Sequence, residues 1–201
     1  MPGEQQEIYV SVDVETDGPI PGPYSMRSLG AAAFSEKGTL LGTFSVNLQP
    51  LPSAGQDPDT MVWWGDHPAA WERATTDAVE PSLGMFRFVE WLKGFHGRCA
   101  FVGYPTGFDF TFTYWHLIAF REATGGSPFS FSALDIKTYA IALLGTPYRK
   151  TTKRAMPKNW FPKDRPHTHV GVDDAIEQGM LFLNMLRERE QLFRDTGSVG
   201  R

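Results

Sequence analysis

Short apolar runs that suit strands come first along this chain, and longer runs with a helical repeat follow them, an order that predicts an α/β fold. The stretch Ile8-Tyr9-Val10-Ser11-Val12 is β-branched and aromatic and reads as a buried strand. Leu29 to Phe34 and Leu40 to Leu48 read the same way, joined at Glu36-Lys37-Gly38, residue types that favour a hairpin turn. These three runs are expected to form an antiparallel meander. Between the first two, Asp17-Gly18-Pro19-Ile20-Pro21-Gly22-Pro23 cannot continue a sheet, because each proline lacks the N–H a ladder needs.

Residues 50 to 66 are rich in Pro, Gly and Asp and are expected to form a long connection carrying Trp63 and Trp64. Helical spacing then takes over: a short helix over Pro68 to Ala78, and a longer one over Ser82 to Phe95 with Met85, Phe88, Val89 and Leu92 on one stripe. Cys99 to Tyr104 reads as a short buried strand, Phe108 to Arg121 as a helix, Phe131 to Asp135 as a last strand and Ile136 to Leu144 as a helix. An irregular segment is expected from 145 to 168. A final helix follows from about Val172 to Glu190, with its stripe at Ile176, Met180, Leu183 and Met185 or Leu186, and 191 to 201 is expected to fray. Meander first, then alternating helix and strand, implies a mixed sheet with helices on its faces. At 201 residues the chain is expected to be one domain, 1–201.

Charge and cysteine content narrow the setting. Cys99 is the single cysteine, which excludes an intrachain disulfide framework and suits a reducing compartment. No apolar stretch approaches membrane-spanning length, and residues 1 to 7 lack a basic start and apolar core, so a cytoplasmic location without membrane contact is expected. The net charge of -4 argues against a general nucleic-acid coat protein. Locally the balance reverses: Arg149, Lys150, Lys153, Arg154, Lys158, Lys163 and Arg165 stand against Asp164 alone, with Trp160 and Phe161 among them. A solvated loop explains such a run as well as a phosphate contact does, until its position is considered.

That position is next to the chemistry-bearing residues. Asp13 and Glu15 close the first strand run, and alternation along a strand puts both on one face, where two carboxylates repel unless a cation lies between them. A hard divalent ion is the usual answer. Asp109 follows the apolar run ending at Tyr104, in Gly103-Tyr104-Pro105-Thr106-Gly107-Phe108-Asp109, and would open a helix. His169-Val170-Gly171-Val172-Asp173-Asp174-Ala175 opens the last helix, just past the basic run. Singly, each signal has a bland reading: a solvated strand end for the pair, a helix N-cap for Asp109.

In this order the residues resemble the DEDDh (DnaQ-like) family of 3'-to-5' exonucleases, within the ribonuclease H-like superfamily. The resemblance spans nearly the whole chain and fills all five positions: Asp13, Glu15, Asp109, His169 and Asp174. Trp63-Trp64 followed by His67-Pro68-Ala69-Ala70 looks most like the phage-type, exoribonuclease-like branch. Two departures concern substrate preference. Family members often carry Asn-x-x-Phe-Asp, whereas Thr106 and Gly107 precede Phe108-Asp109 here, and Pro19 to Pro23 enlarges the loop after the first motif.

The resemblance implies a ribonuclease H-like mixed sheet and hydrolysis of single-stranded RNA or DNA from the 3' end, by two divalent ions, Mg²⁺ or Mn²⁺. Asp13 would bridge both ions, Glu15 and Asp174 would hold the one that binds the attacking water, and Asp109 would serve the second. His169 would be the general base, with His167 as its rival at a spacing the family does not use. Zinc is disfavoured because no Cys or His cluster offers its preferred ligands. Phe108, Phe110, Trp63, Trp64 and Trp160 could stack on unpaired bases, although core packing is the better explanation of each taken singly, and none is assigned to the site. His67, His96 and His116 are expected to be surface or core residues, and Asp135 a helix cap. A homodimer is compatible with the resemblance. The competing readings are an inactive nucleic-acid-binding or assembly subunit on the same fold, and a phosphoester hydrolase of small nucleotides.

Overall fold

A computed structural model describes residues 6–162 and 170–197. Its centre is a five-stranded sheet in the order β3-β2-β1-β4-β5, formed by β1 (Glu7–Thr16), β2 (Met26–Ser35), β3 (Leu40–Asn47), β4 (Arg98–Gly103) and β5 (Leu134–Asp135). The meander is antiparallel, while β4 joins β1, and β5 joins β4, in parallel. This is the mixed sheet that the sequence pattern implied.

Alternation along β1 sorts the two faces. Val10, Val12 and Val14 go to a core shared with α3 (Pro81–Lys93) and α4 (Thr106–Ala119), where Met85, Phe88 and Phe112 are fully buried. Tyr9 faces the other way, packing edge-on against Phe182 of α7 (Gly171–Gly197) at a centroid distance of 5.2 Å. Asp13 and Glu15 continue this second row toward the C-terminal end of the strand, so strand alternation delivers both to the α7 face.

Several boundaries move. The 50–66 connection contains a helix, α1 (Pro58–Gly65), which Asp57 caps through a 2.9 Å bond from the Thr60 amide, and Trp63 and Trp64 ride on it. Its eight residues are too few for a periodic signal, and the proline and aspartate that suggest a loop here mark a helix start. The next helix, α2, is Pro68–Thr75, shorter than expected. The helix expected to Arg121 breaks at Phe120 into α4 and a single turn, α5 (Arg121–Thr124). The strand expected over Phe131 to Asp135 pairs only at β5, because β5 meets β4 only beside Val102 and Gly103. The helix α6 (Ile136–Leu144) lies where expected. Over 145–162 the irregular segment is stapled by three 3₁₀ turns, and α7 continues well past Glu190 instead of fraying there.

The proline-rich loop after β1 is anchored from inside. Asp17 is fully buried, accepts the Ser25 amide at 2.6 Å and lies 3.6 Å from the Arg27 guanidinium. Burial pushes the Asp17 carboxyl up and Arg27 down, partly offset by their mutual attraction. Trp64 ties α1 to the same point, its indole N–H donating to Thr16 O at 2.9 Å.

Candidate active site

Three elements end at one place: the C-terminal part of β1, the first turn of α4 and the first turn of α7. Asp13, Glu15 and Asp174 each present a carboxylate oxygen there, and those oxygens lie within 4.8 Å of one another. What brings α7 so close is a glycine contact. A Cβ built on Gly30, the strand partner of Asp13, would overlap the backbone of Gly171 and Val172, and one on Gly171 would lie 3.0 Å from Gly30 N. The backbones touch, so Asp174, three residues into α7, sits over β1.

Asp109 enters from α4 and is buried beneath the cluster, 3% exposed. Its Oδ1 accepts a long bond, 3.4 Å, from the Val14 amide, while Oδ2 has no hydrogen-bond partner among the described residues. Burial pushes the carboxyl up to about 7; the Val14 amide opposes the shift, and the charge of Glu15 adds to it. A desolvated carboxylate with one orphaned oxygen, in the field of Glu15, is what a hard cation would stabilise, and oxygen donors suit Mg²⁺ or Mn²⁺.

The displaced titration predicts a pH dependence of stability for the metal-free protein. A folded pKa near 7 against an ordinary carboxylate value means that the folded chain keeps a proton the unfolded chain releases. The penalty is absent below about pH 4, grows as pH rises and is complete above the folded value, each unit of displacement costing about 1.4 kcal/mol. Thermal melts in chelator should therefore show stability falling between pH 4 and 7, and Asp109→Asn should flatten that slope. An unchanged slope in the variant would assign the effect to other groups.

Around this cluster lie residues that the sequence motifs did not single out. Gln178, one turn beyond Asp174, donates from Nε2 to Asp13 Oδ1 at 2.6 Å. Glu177 accepts from Lys153 Nζ at 2.6 Å, and Lys153 also lies 5.5 Å from the centroid of the Tyr104 ring. The basic segment is thereby fastened at the edge of the site. Thr151, Met156 and Trp160 are buried beneath it, while Arg149, Lys150, Arg154 and Lys158 are exposed. Helical spacing from Asp174 could have flagged Glu177 and Gln178, since positions three and four along share its face.

Other expectations resolve individually. His169 and His167 lie outside the described residues. His116 is a core residue, its Nδ1 2.8 Å from Phe112 O and its pKa pushed down to about 4 by burial. His67 stacks on Trp63 at 4.1 Å. Trp64 and Trp160 are core, 3% and 1% exposed, which removes both as base-stacking platforms, whereas Trp63 is 40% exposed. Phe108 and Phe110 pack against the core. Asp135 caps α6 through Thr138 N at 2.6 Å and also accepts Thr106 N at 2.9 Å, tying the start of α4 to β5. Pro105 stands where the resemblance expects Asn, and Thr106 beside it donates its hydroxyl to Leu134 O at 2.9 Å.

No family model matches the chain. The 3'-5' DNA exonuclease Cap18 of Escherichia coli is 34% identical over 194 residues, an alignment covering 94% of this chain and 98% of that protein. Among solved structures, the nuclease domain of 3'hExo, a DEDDh family member bound to rAMP, superposes with a TM-score of 0.65 at 12% identity over 93% of this chain and 94% of that one. E. coli exonuclease I in complex with a dT13 oligonucleotide gives 0.66 at 14% identity over 94% of this chain and 43% of that one. The two structures share the fold, and the relative is similar in sequence over almost its full length. Taken with the carboxylates gathered at the end of β1, this similarity makes the chain a member of the DEDDh 3'-5' exonuclease family, hydrolases of phosphodiester bonds on the ribonuclease H-like fold.

Proposed function

We propose that residues 1–201 act as a single exonuclease domain that removes nucleotides from the 3' end of single-stranded DNA with two divalent ions, Mg²⁺ or Mn²⁺. Asp13, Glu15, Asp109 and Asp174 hold the ions, and His169 is the general base. The observation that carries this reading is the convergence of Asp13, Glu15 and Asp174 oxygens within 4.8 Å of one another, above a buried Asp109. Three carboxylates gathered so closely, with the buried Asp109 raised in pKa partly by the charge of Glu15, repel one another and repel phosphate unless cations lie among them.

When bound, the ions supply Lewis acidity toward the scissile phosphate and lower the pKa of water. The rest falls to the chain's own groups. His169 accepts the proton of the attacking water on a ring nitrogen, a task for which an ordinary imidazole pKa near neutrality is suited. Asp109 stays ionised once cations offset its burial, reversing the upward shift described above. The exposed Arg149, Lys150, Arg154 and Lys158 bind backbone phosphates upstream of the reacting bond, and Lys153 holds that segment to α7 through Glu177. DNA is favoured because the full-length relative is named for DNA, and an oligodeoxynucleotide is the ligand of one structural neighbour.

The test uses 5'-labelled single-stranded DNA and RNA of one sequence, and the corresponding duplexes, with Mg²⁺, Mn²⁺ or chelator. Stepwise shortening from the 3' end of single-stranded DNA, at least about tenfold slower on RNA and absent in chelator, is expected. Equal rates on RNA and DNA would overturn the sugar preference, and cleavage in chelator would overturn the metal mechanism.

A further inference from the structure

Gln178 is buried, 1% exposed, on the face of α7 that carries Asp174. Its amide reaches across to β1, where Nε2 donates to Asp13 Oδ1 at 2.6 Å. An ionised carboxylate can only accept, so the atom facing it must be the NH₂ group. The other end of the amide, Oε1, is buried with no hydrogen-bond partner among the described residues.

Packing does not account for an amide here. The residues that follow on the buried side of the helix are Leu181, Phe182 and Met185, and an apolar side chain of similar volume would fill the space without leaving an orphaned oxygen, which is a cost in stability. The compensating feature is the short bond to Asp13. Rotation of an aspartate carboxylate about its last torsion is soft, with no sharply preferred angle. A donor fixed on a helix removes that freedom. The oxygen that accepts from Gln178 keeps lone-pair capacity, so the bond orients Asp13 without consuming it as a ligand.

We infer that Gln178 is a positioning residue: it holds the Asp13 carboxylate at the rotation in which Asp13, Glu15 and Asp174 share a cation. This rests on the metal-site reading above and deepens it. Groups that hydrogen-bond metal-ligating carboxylates typically change metal affinity or activity 10- to 100-fold when removed. The role is therefore measurable in metal binding without any turnover.

The experiment is direct Mn²⁺ binding, by calorimetry and by electron paramagnetic resonance of free Mn²⁺, to the substrate-free protein and to Gln178→Met, Gln178→Asn and Asp13→Asn. Met keeps the volume and loses the donor; Asn is smaller and withdraws the amide by one methylene, which covers the case in which Met overpacks. Both Gln178 variants are expected to bind Mn²⁺ about tenfold more weakly, with melting temperatures close to the parent. In activity assays the Mn²⁺ midpoint should rise by the same factor, with turnover largely recovered at saturating metal, a split that a general loss of structure would not give. Parent-like Mn²⁺ affinity in a folded Gln178 variant overturns the inference while leaving the metal site standing, provided Asp13→Asn loses Mn²⁺. If Asp13→Asn also binds Mn²⁺ as the parent does, the metal-site reading itself falls.

Discussion

Asp13→Asn and Asp174→Asn each lower turnover by at least about 10³-fold while the protein stays folded. Removing one neutral donor from a preorganised site costs about 10² to 10³, and losing a charged ligand of a shared cation exceeds that. The Asn side chain nearly matches Asp in shape, and at position 13 its carbonyl oxygen can still accept from Gln178. The fold therefore loses nothing that packing supplies. It also sheds a negative charge from a cluster whose oxygens lie within 4.8 Å of each other, so in chelator both variants should melt higher than the parent. Circular dichroism melts and steady-state hydrolysis of a 3'-fluorescent oligonucleotide check both halves. His169→Asn serves as the contrast, slowing turnover while Mn²⁺ binding persists. Undiminished hydrolysis by either Asp variant would remove the site from the mechanism.

Gly30→Ala should damage both stability and activity although residue 30 carries no chemistry. Its backbone conformation is ordinary for a strand, so the constraint is space. An added methyl would overlap the Gly171 and Val172 backbone, which has no rotamer with which to yield. Overpacking of this kind costs about 1 to 3 kcal/mol and occasionally more. The activity loss follows from which element gives way. If α7 is pushed off β2, Asp174 moves from Asp13 and Glu15, and a displacement on the order of 1 Å costs about 10²-fold. Expected results are a melting temperature several degrees lower and turnover reduced by at least about 10²-fold even at saturating Mn²⁺. Gly42→Ala is the control: its Cβ would meet the nearest atom at an ordinary 3.6 Å, so it should change neither by much.

The site's dependence on Gly30 also marks the limit of what residue order encodes. Asp13 and Glu15 were legible because strand alternation fixes their common face, whatever else the chain does. Asp109 and Asp174 were legible as acids near helix starts, and their order along the chain suggested that they belong with the first pair. Nothing local indicated that Gly30 and Gly171 would bring two backbones into contact, because a glycine spared from a steric clash leaves no periodic trace. The same holds for the environment of Asp109. Burial and an orphaned oxygen raise its pKa to about 7, and both arise from elements close to a hundred residues apart, as the bond to Val14 N shows. Trp64 and Trp160 are the converse case. Their types suit base stacking, yet Trp64 donates to Thr16 O and the Trp160 indole to Glu188, which makes both internal props of the scaffold.

By itself the sequence determined most of the elements and their faces, α1 excepted: a strand-rich first quarter, helices after it, and acids placed where strands end and helices begin. It did so because the two- and 3.6-residue periods are local and because proline, glycine and charge punctuate them. The tertiary structure alone decided how far apart the carboxylates lie, which of them is buried, that Gln178 grips Asp13, and that Lys153 pins the basic segment to α7 through Glu177. These depend on side chains meeting across long sequence separations, and such meetings are fixed by close packing between elements, where a single methyl group can decide whether two backbones touch.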